Sequence, residues 1–111
     1  MVTVKYKPDS YTLKIKGHAG ADEIGKDVIC AAVSTVYYNF CAMLREYPPE
    51  AFAKPLVMKM AKGKKGVTTV VCEPSKAYET LIDHDVLYAL KGFEMLAGNY
   101  HEYVNLVVTQ K

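Results

Sequence analysis

The chain lacks any continuous apolar run of the roughly 20 residues that a membrane helix requires, because polar or charged residues interrupt each stretch. No segment is therefore expected to span a bilayer. A strong charge bias is also missing: fourteen Lys and Arg against twelve Asp and Glu leave a formal net charge of +2. That is too little to argue for nucleic acid on charge alone, and no direct nucleic-acid contact is expected. The start, Met1-Val2-Thr3-Val4-Lys5-Tyr6, has no basic block, apolar block or small-residue cleavage site, so a cytoplasmic location is expected. Cysteine is scarce and unpaired in pattern. Cys30, Cys41 and Cys72 are odd in number with no CxxC, so neither a disulfide framework nor a zinc site is indicated and free thiols are expected. His84 between Asp83 and Asp85 does not make a metal site either, since three adjacent helical residues cannot all face one ion. They read as a polar helix start, and neither metal nor cofactor is expected. What remains is ordinary for a globular protein: 111 residues, 50% hydrophobic and 23% charged, without repeats or linkers, read as one domain over residues 1–111.

Val2, Val4 and Tyr6 alternate with Thr3, Lys5 and Lys7, and Tyr11, Leu13 and Ile15 alternate with Thr12, Lys14 and Lys16. With Pro8-Asp9-Ser10 turning the chain between them, the two runs predict an antiparallel hairpin. From Asp27 to about Tyr47 the period becomes helical, with Ile29, Val33, Val36, Phe40 and Leu44 on one stripe and Pro48-Pro49 ending it. A second hairpin is predicted from Leu56, Met58 and Met60 to Val67–Cys72 across Gly63-Lys64-Lys65-Gly66. A second helix, about Ala77 to Ala97, would bury Ile82, Val86, Leu90, Phe93 and Ala97 and stop at Gly98-Asn99, and Tyr103–Thr109 reads as a last strand. The order β-β-α-β-β-α-β predicts a two-layer α/β sandwich: a five-stranded mixed or antiparallel sheet with both helices on one face.

The chemistry-bearing stretch runs from Gly17 to Ser34. Gly17, Gly20 and Gly25 punctuate a connection of about ten residues where roughly 4 to 6 is usual, the mark of a mobile loop. Asp27 stands where an N-cap belongs, which would put Cys30 in the first helical turn, where the helix field favours a thiolate. His18 ends the preceding strand, close to where a helix folding back on the sheet begins. Strict alternation would send His18 to the wet face, and Gly17 can break that parity. Ser34 lies one turn beyond Cys30, and Cys30, Ser34, Tyr37 and Cys41 form a second stripe expected to line a site. Taken singly, each residue has a plainer explanation: Cys30 as a small core residue, His18 as a loop histidine, Asp27 as a simple cap, Ser34 bonded back to the preceding turn. Spacing alone leaves a Cys-His dyad the minority reading.

Gly17-His18-Ala19 followed by Gly25-Lys26-Asp27-Val28-Ile29-Cys30-Ala31-Ala32-Val33-Ser34 closely resembles the two-part signature of the ribosomal-processing cysteine protease Prp family. The length, the element order and the tail Gly98-Asn99-Tyr100-His101-Glu102-Tyr103-Val104 resemble that family too, most weakly between residues 48 and 80. The resemblance implies a homodimeric cytoplasmic endopeptidase with His18 and Cys30 as its dyad. Its implied substrate is the N-terminal extension of large-subunit ribosomal protein L-twenty-seven, or a capsid or scaffold protein in phage relatives. The rival class is a noncatalytic ribosome or RNA partner using Lys54, Lys59, Lys62, Lys64 and Lys65; lysines at a hairpin tip are more often only solubilising. Redox sensing is a third class, but Cys41 lies about three turns beyond Cys30, too far to resolve it within the helix.

Overall fold

Alternation in the first sixteen residues becomes a hairpin of β1 (Val2–Lys7) and β2 (Thr12–Lys16), paired antiparallel with Val4 opposite Ile15 and Lys5 opposite Lys14. The computed structural model describes residues 1–17, 24–61 and 66–109. After α1 (Ile24–Arg45) come a 3-10 turn at Pro49–Ala51, β3 (Val57–Lys59), β4 (Val67–Val71), a second 3-10 turn at Lys76–Tyr78, α2 (Glu79–Asn99) and β5 (Val104–Val108). The sheet order is β3-β4-β2-β1-β5. β5 runs parallel to β1 and every other pair is antiparallel, so the sheet is mixed. The parallel pairing follows from α2, which carries the chain over the sheet from β4 to the far edge beyond β1.

Every fully buried strand residue lies on one face: Val2, Val4, Tyr6, Leu13, Val70 and Val104. Both helices contribute to the same core, α1 through Ile29, Val33, Tyr37, Phe40, Cys41 and Leu44 and α2 through Ile82, Val86, Ala89, Phe93 and Leu96. Among the described residues no helix packs on the opposite face of the sheet. Ala89 and Leu96 replace the expected Leu90 and Ala97 in the innermost row; the latter two pack at its margin. Helix α1 also corrects the expectation about apolar length, since its Val28–Arg45 window has mean hydropathy 1.3 over 18 residues, long and apolar enough on those measures to cross a membrane. Its apolar stripe is the one that covers the sheet.

The start of α1 departs from the sequence reading. The helix begins at Ile24, so Asp27 is inside it rather than its N-cap, Gly25 is helical rather than part of a loop, and Cys30 falls in the second turn. Apolar periodicity misses this first turn because Ile24 stands five residues before Ile29, off the stripe that faces the core. Helix α2 ends at Asn99, as the stop read at Gly98-Asn99 predicts, without a left-handed glycine; the Asn99 amide donates to the Met95 carbonyl.

Two glycines are required where they stand. Gly17 adopts φ +98°, and a Cβ there would lie 2.2 Å from the Met1 carbonyl oxygen, held in place because the next residue, Val2, donates its N–H to Tyr103. Gly92 lets the helices approach, since a Cβ there would stand 3.0 Å from Val36 Cγ1. Gly17→Ala is expected to lower stability by about 1–3 kcal/mol, read as a lower urea midpoint. Gly98→Ala, helical and in open space, is expected to raise it by up to about 1 kcal/mol. An unchanged midpoint in Gly17→Ala would contradict the close approach described here.

Candidate active site

Three thiols are the only groups in the chain with strong intrinsic nucleophilicity near neutral pH, and the fold treats them differently. Cys41 and Cys72 are each 1% exposed. Burial pushes the Cys72 thiol up to about 12, with the neighbouring Cys41, Asp83 and Asp85 adding to the effect. Burial also raises Cys41, outweighing a hydrogen bond from Tyr37 and the Arg45 charge, which pull the other way. Both stay protonated and inert at neutral pH. Cys30 is different: it is half-buried at the margin of the core, with Ile29 and Val33 inside and Val28, Ala31 and Ser34 exposed.

The expected second stripe does not line a site. Tyr37 and Cys41 are core residues at 3% and 1% exposure, which leaves Cys30 and Ser34 as the solvent-reaching end of that row. The core takes Tyr37 and Cys41 because α1 rolls until the 29-33-37-40-44 row faces the sheet, wider than the stripe read from periodicity. Helical side chains lean toward the N-terminus, so the Cys30 thiol is carried toward the start of α1, where the chain arrives from β2. His18 and Gly20 lie outside the described residues, and so does the side chain of Asp27. The structure does describe Gly17, whose positive φ redirects the chain immediately before His18.

The Asp83-His84-Asp85 triplet has a role that sequence reasoning missed. Asp83 accepts a hydrogen bond from the Tyr11 hydroxyl and Asp85 from the Tyr47 hydroxyl. Residues two apart on a helix point to nearly opposite sides, so one carboxylate grips the β1–β2 turn and the other the end of α1. Tyr47 also packs edge-on against Phe52 and Tyr78. Burial, then the hydrogen bond to Asp85, pushes its phenol up to about 12. The i, i+2 spacing of the two acids was the available signal.

The family model for cysteine protease Prp matches residues 1–105. The chain belongs to the cysteine protease Prp family. It is therefore a cysteine protease, and its fold is that of known Prp structures. SMU.848 from Streptococcus mutans superposes with TM-score 0.77 at 22% identity, covering 99% of this chain and 93% of its own. The essential ribosomal processing protease Prp from S. aureus, in complex with a covalently linked product peptide, superposes with TM-score 0.74 at 17% identity, covering 98% and 100%. The same S. aureus protease in complex with a substrate peptide gives TM-score 0.74 at 16% identity, again covering 98% and 100%. No curated protein matches the sequence.

The unequal burial of the thiols has two measurable consequences for this Prp protease. Alkylation of the native protein near neutral pH is expected to modify Cys30 alone, while all three cysteines react in urea; peptide mass mapping after labelling distinguishes them. Cys72 also links stability to pH. Its thiol rises from an ordinary 9.0 to about 12 on folding, so the stabilisation is complete below 9.0 and is lost as pH climbs toward 12, by at most about 1.4 kcal/mol per pH unit. Urea midpoints are expected to fall between about pH 8 and about pH 10, and to fall less steeply in Cys72→Ala.

Proposed function

We propose that this Prp protease is a ribosomal-processing endopeptidase with Cys30 as nucleophile and His18 as general base and acid. The observation that carries the assignment is the exposure of Cys30 beside two sealed thiols. The two-part motif that places His18 and Cys30 supports it, and so does the S. aureus relative, whose described complexes hold a substrate peptide and a covalently linked product peptide.

His18 takes the Cys30 proton, and the sulfur adds to the scissile carbonyl to form a tetrahedral oxyanion. Backbone N–H groups of the first turn of α1 stabilise that charge, being the ones without an intrahelical acceptor. The Cys30 N–H is excluded from this role, because in the second turn it is committed to the helical ladder. Collapse of the adduct breaks the C–N bond as the imidazolium gives its proton to the leaving amine, leaving a thioester. Water then loses a proton to His18, attacks the thioester and releases the acid, returning the thiol. Asp27 and Ser34 are supporting residues in this scheme, three residues before and four after Cys30.

The proposed substrate is the N-terminal extension of ribosomal protein L-twenty-seven, processed in the cytoplasm; a phage capsid or scaffold protein is the alternative served by the same chemistry. A homodimer is proposed too. Leu81, Tyr88 and Met95 repeat at seven-residue spacing on α2 and are 54%, 71% and 59% exposed, a stripe on which a second copy can lie. The deciding experiment is mass spectrometry of the two candidate peptides after incubation with the protein. Wild type is expected to make one discrete cut in the ribosomal-protein extension, and Cys30→Ala and His18→Ala to lose on the order of 10³-fold or more in rate. Cleavage that survives Cys30→Ala would overturn the assignment, and a cut confined to the capsid peptide would move the substrate to the alternative.

A further inference from the structure

The five strands carry five lysines and no carboxylate. Alternation sends all five to the face of the sheet opposite the helices: Lys5 and Lys7 from β1, Lys14 and Lys16 from β2, and Lys59 from β3. The register places Lys5 directly opposite Lys14, while Lys14 and Lys59 both stand opposite Thr69. One row, Lys5, Lys14, Thr69, Lys59, therefore crosses four adjacent strands. Like charges opposite one another across an antiparallel pair are destabilising, and among the described residues none of the five lysines has an ion-pair partner. Thr3, Lys5, Lys14, Lys16, Val67 and Thr69 line a concavity of about 380 Å³ on this face. The net charge of +2 conceals this segregation, because among the described residues the carboxylates lie in the helices, turns and loops.

We propose that this sheet face binds the phosphate backbone of double-helical RNA. An anion is called for by a cationic array that contains opposed like charges and no acid of its own. A duplex is favoured over a single strand because the face presents no aromatic side chain on which bases can stack. It is favoured over an acidic peptide because the lysines, on three strands, extend across a width of four, roughly 14 Å at about 4.8 Å per strand, a two-dimensional lattice rather than the single line an extended peptide would match. Thr3, Thr12, Thr69 and Asn105, on the same face, supply hydroxyl and amide groups of the kind that contact phosphate and sugar, including the ribose 2′-OH. With no arginine among them to read base edges, recognition is by shape and charge. Cys30 is on the helix layer, on the other side of the sheet, so RNA docking leaves the thiol open to a protein substrate. The choice of RNA over DNA rests on the ribosomal function proposed above, whereas the choice of a duplex rests on the face alone.

The test is fluorescence anisotropy with a labelled RNA duplex of about 16 base pairs, a DNA duplex of the same sequence, and poly-glutamate, over a range of salt. It uses the wild-type chain, the triple variant Lys5→Gln/Lys14→Gln/Lys16→Gln, and Cys30→Ala. The RNA duplex is expected to bind wild type and Cys30→Ala equally. In the triple variant the salt slope should fall by about 0.9 per lysine removed, with Cys30 alkylation unchanged as evidence of an intact fold. Absence of RNA binding, or a slope unchanged in the triple variant, overturns the proposal. Poly-glutamate binding with the same lysine dependence overturns the duplex, and equal affinity for DNA overturns the choice of RNA. Lysine-dependent RNA binding without cleavage of either peptide would support this face and defeat the protease substrate assignment separately.

Discussion

One-sided burial of the sheet is the constraint on which the rest of the molecule depends. The buried strand residues all fall on one face, and the two helices close that face. That choice positions everything else. It draws Cys41 and Cys72 into the core, where charge on sulfur is unfavourable, and leaves Cys30 at the border where the α1 stripe meets solvent. It also commits the other face to water, which is why lysine and threonine can accumulate there without cost to packing.

The two layers are held in register by contacts away from the thiol. Gly92 admits Val36 between the helices, and Asp83 and Asp85 fasten α2 to the β1–β2 turn and to the end of α1 through two tyrosine hydroxyls. Tyr11 itself has a positive φ of 51°, and its carbonyl accepts the Cys72 N–H, so strand β2, the turn before it and the end of β4 are joined at one point. These braces lie at the end of the sheet opposite the β2 exit that leads to α1. These contacts concentrate at one end of the sheet, away from the end of α1 that carries Cys30.

Much of the fold was legible from periodicity. The period-two runs placed β1 and β2 within a residue, and the helical rows around Phe40 and Phe93 were recognised because burial on one side imposes that spacing. The errors fell where burial is not the deciding force. The helical stripe begins at Ile29, so it was silent about Ile24 and pointed to Asp27 as the cap. The stop read at Gly98-Asn99 matches the end of α2 at Asn99, reached without a left-handed glycine. Cys30 drew attention through its motif, yet its spacing grouped it equally with Tyr37 and Cys41, which are buried.

The sequence by itself determined the element order, the helix-facing sides of the strands and the family signature around His18 and Cys30, since local periodicity and motif spacing are properties of the chain. Only the tertiary structure decided which thiol meets solvent, that two adjacent-looking acids grip tyrosines on different elements, and that five lysines share one unbalanced face. These depend on how far each helix rolls over the sheet and on strand register, which pairs residues as far apart as Val2 and Val104 and which no local window of sequence contains.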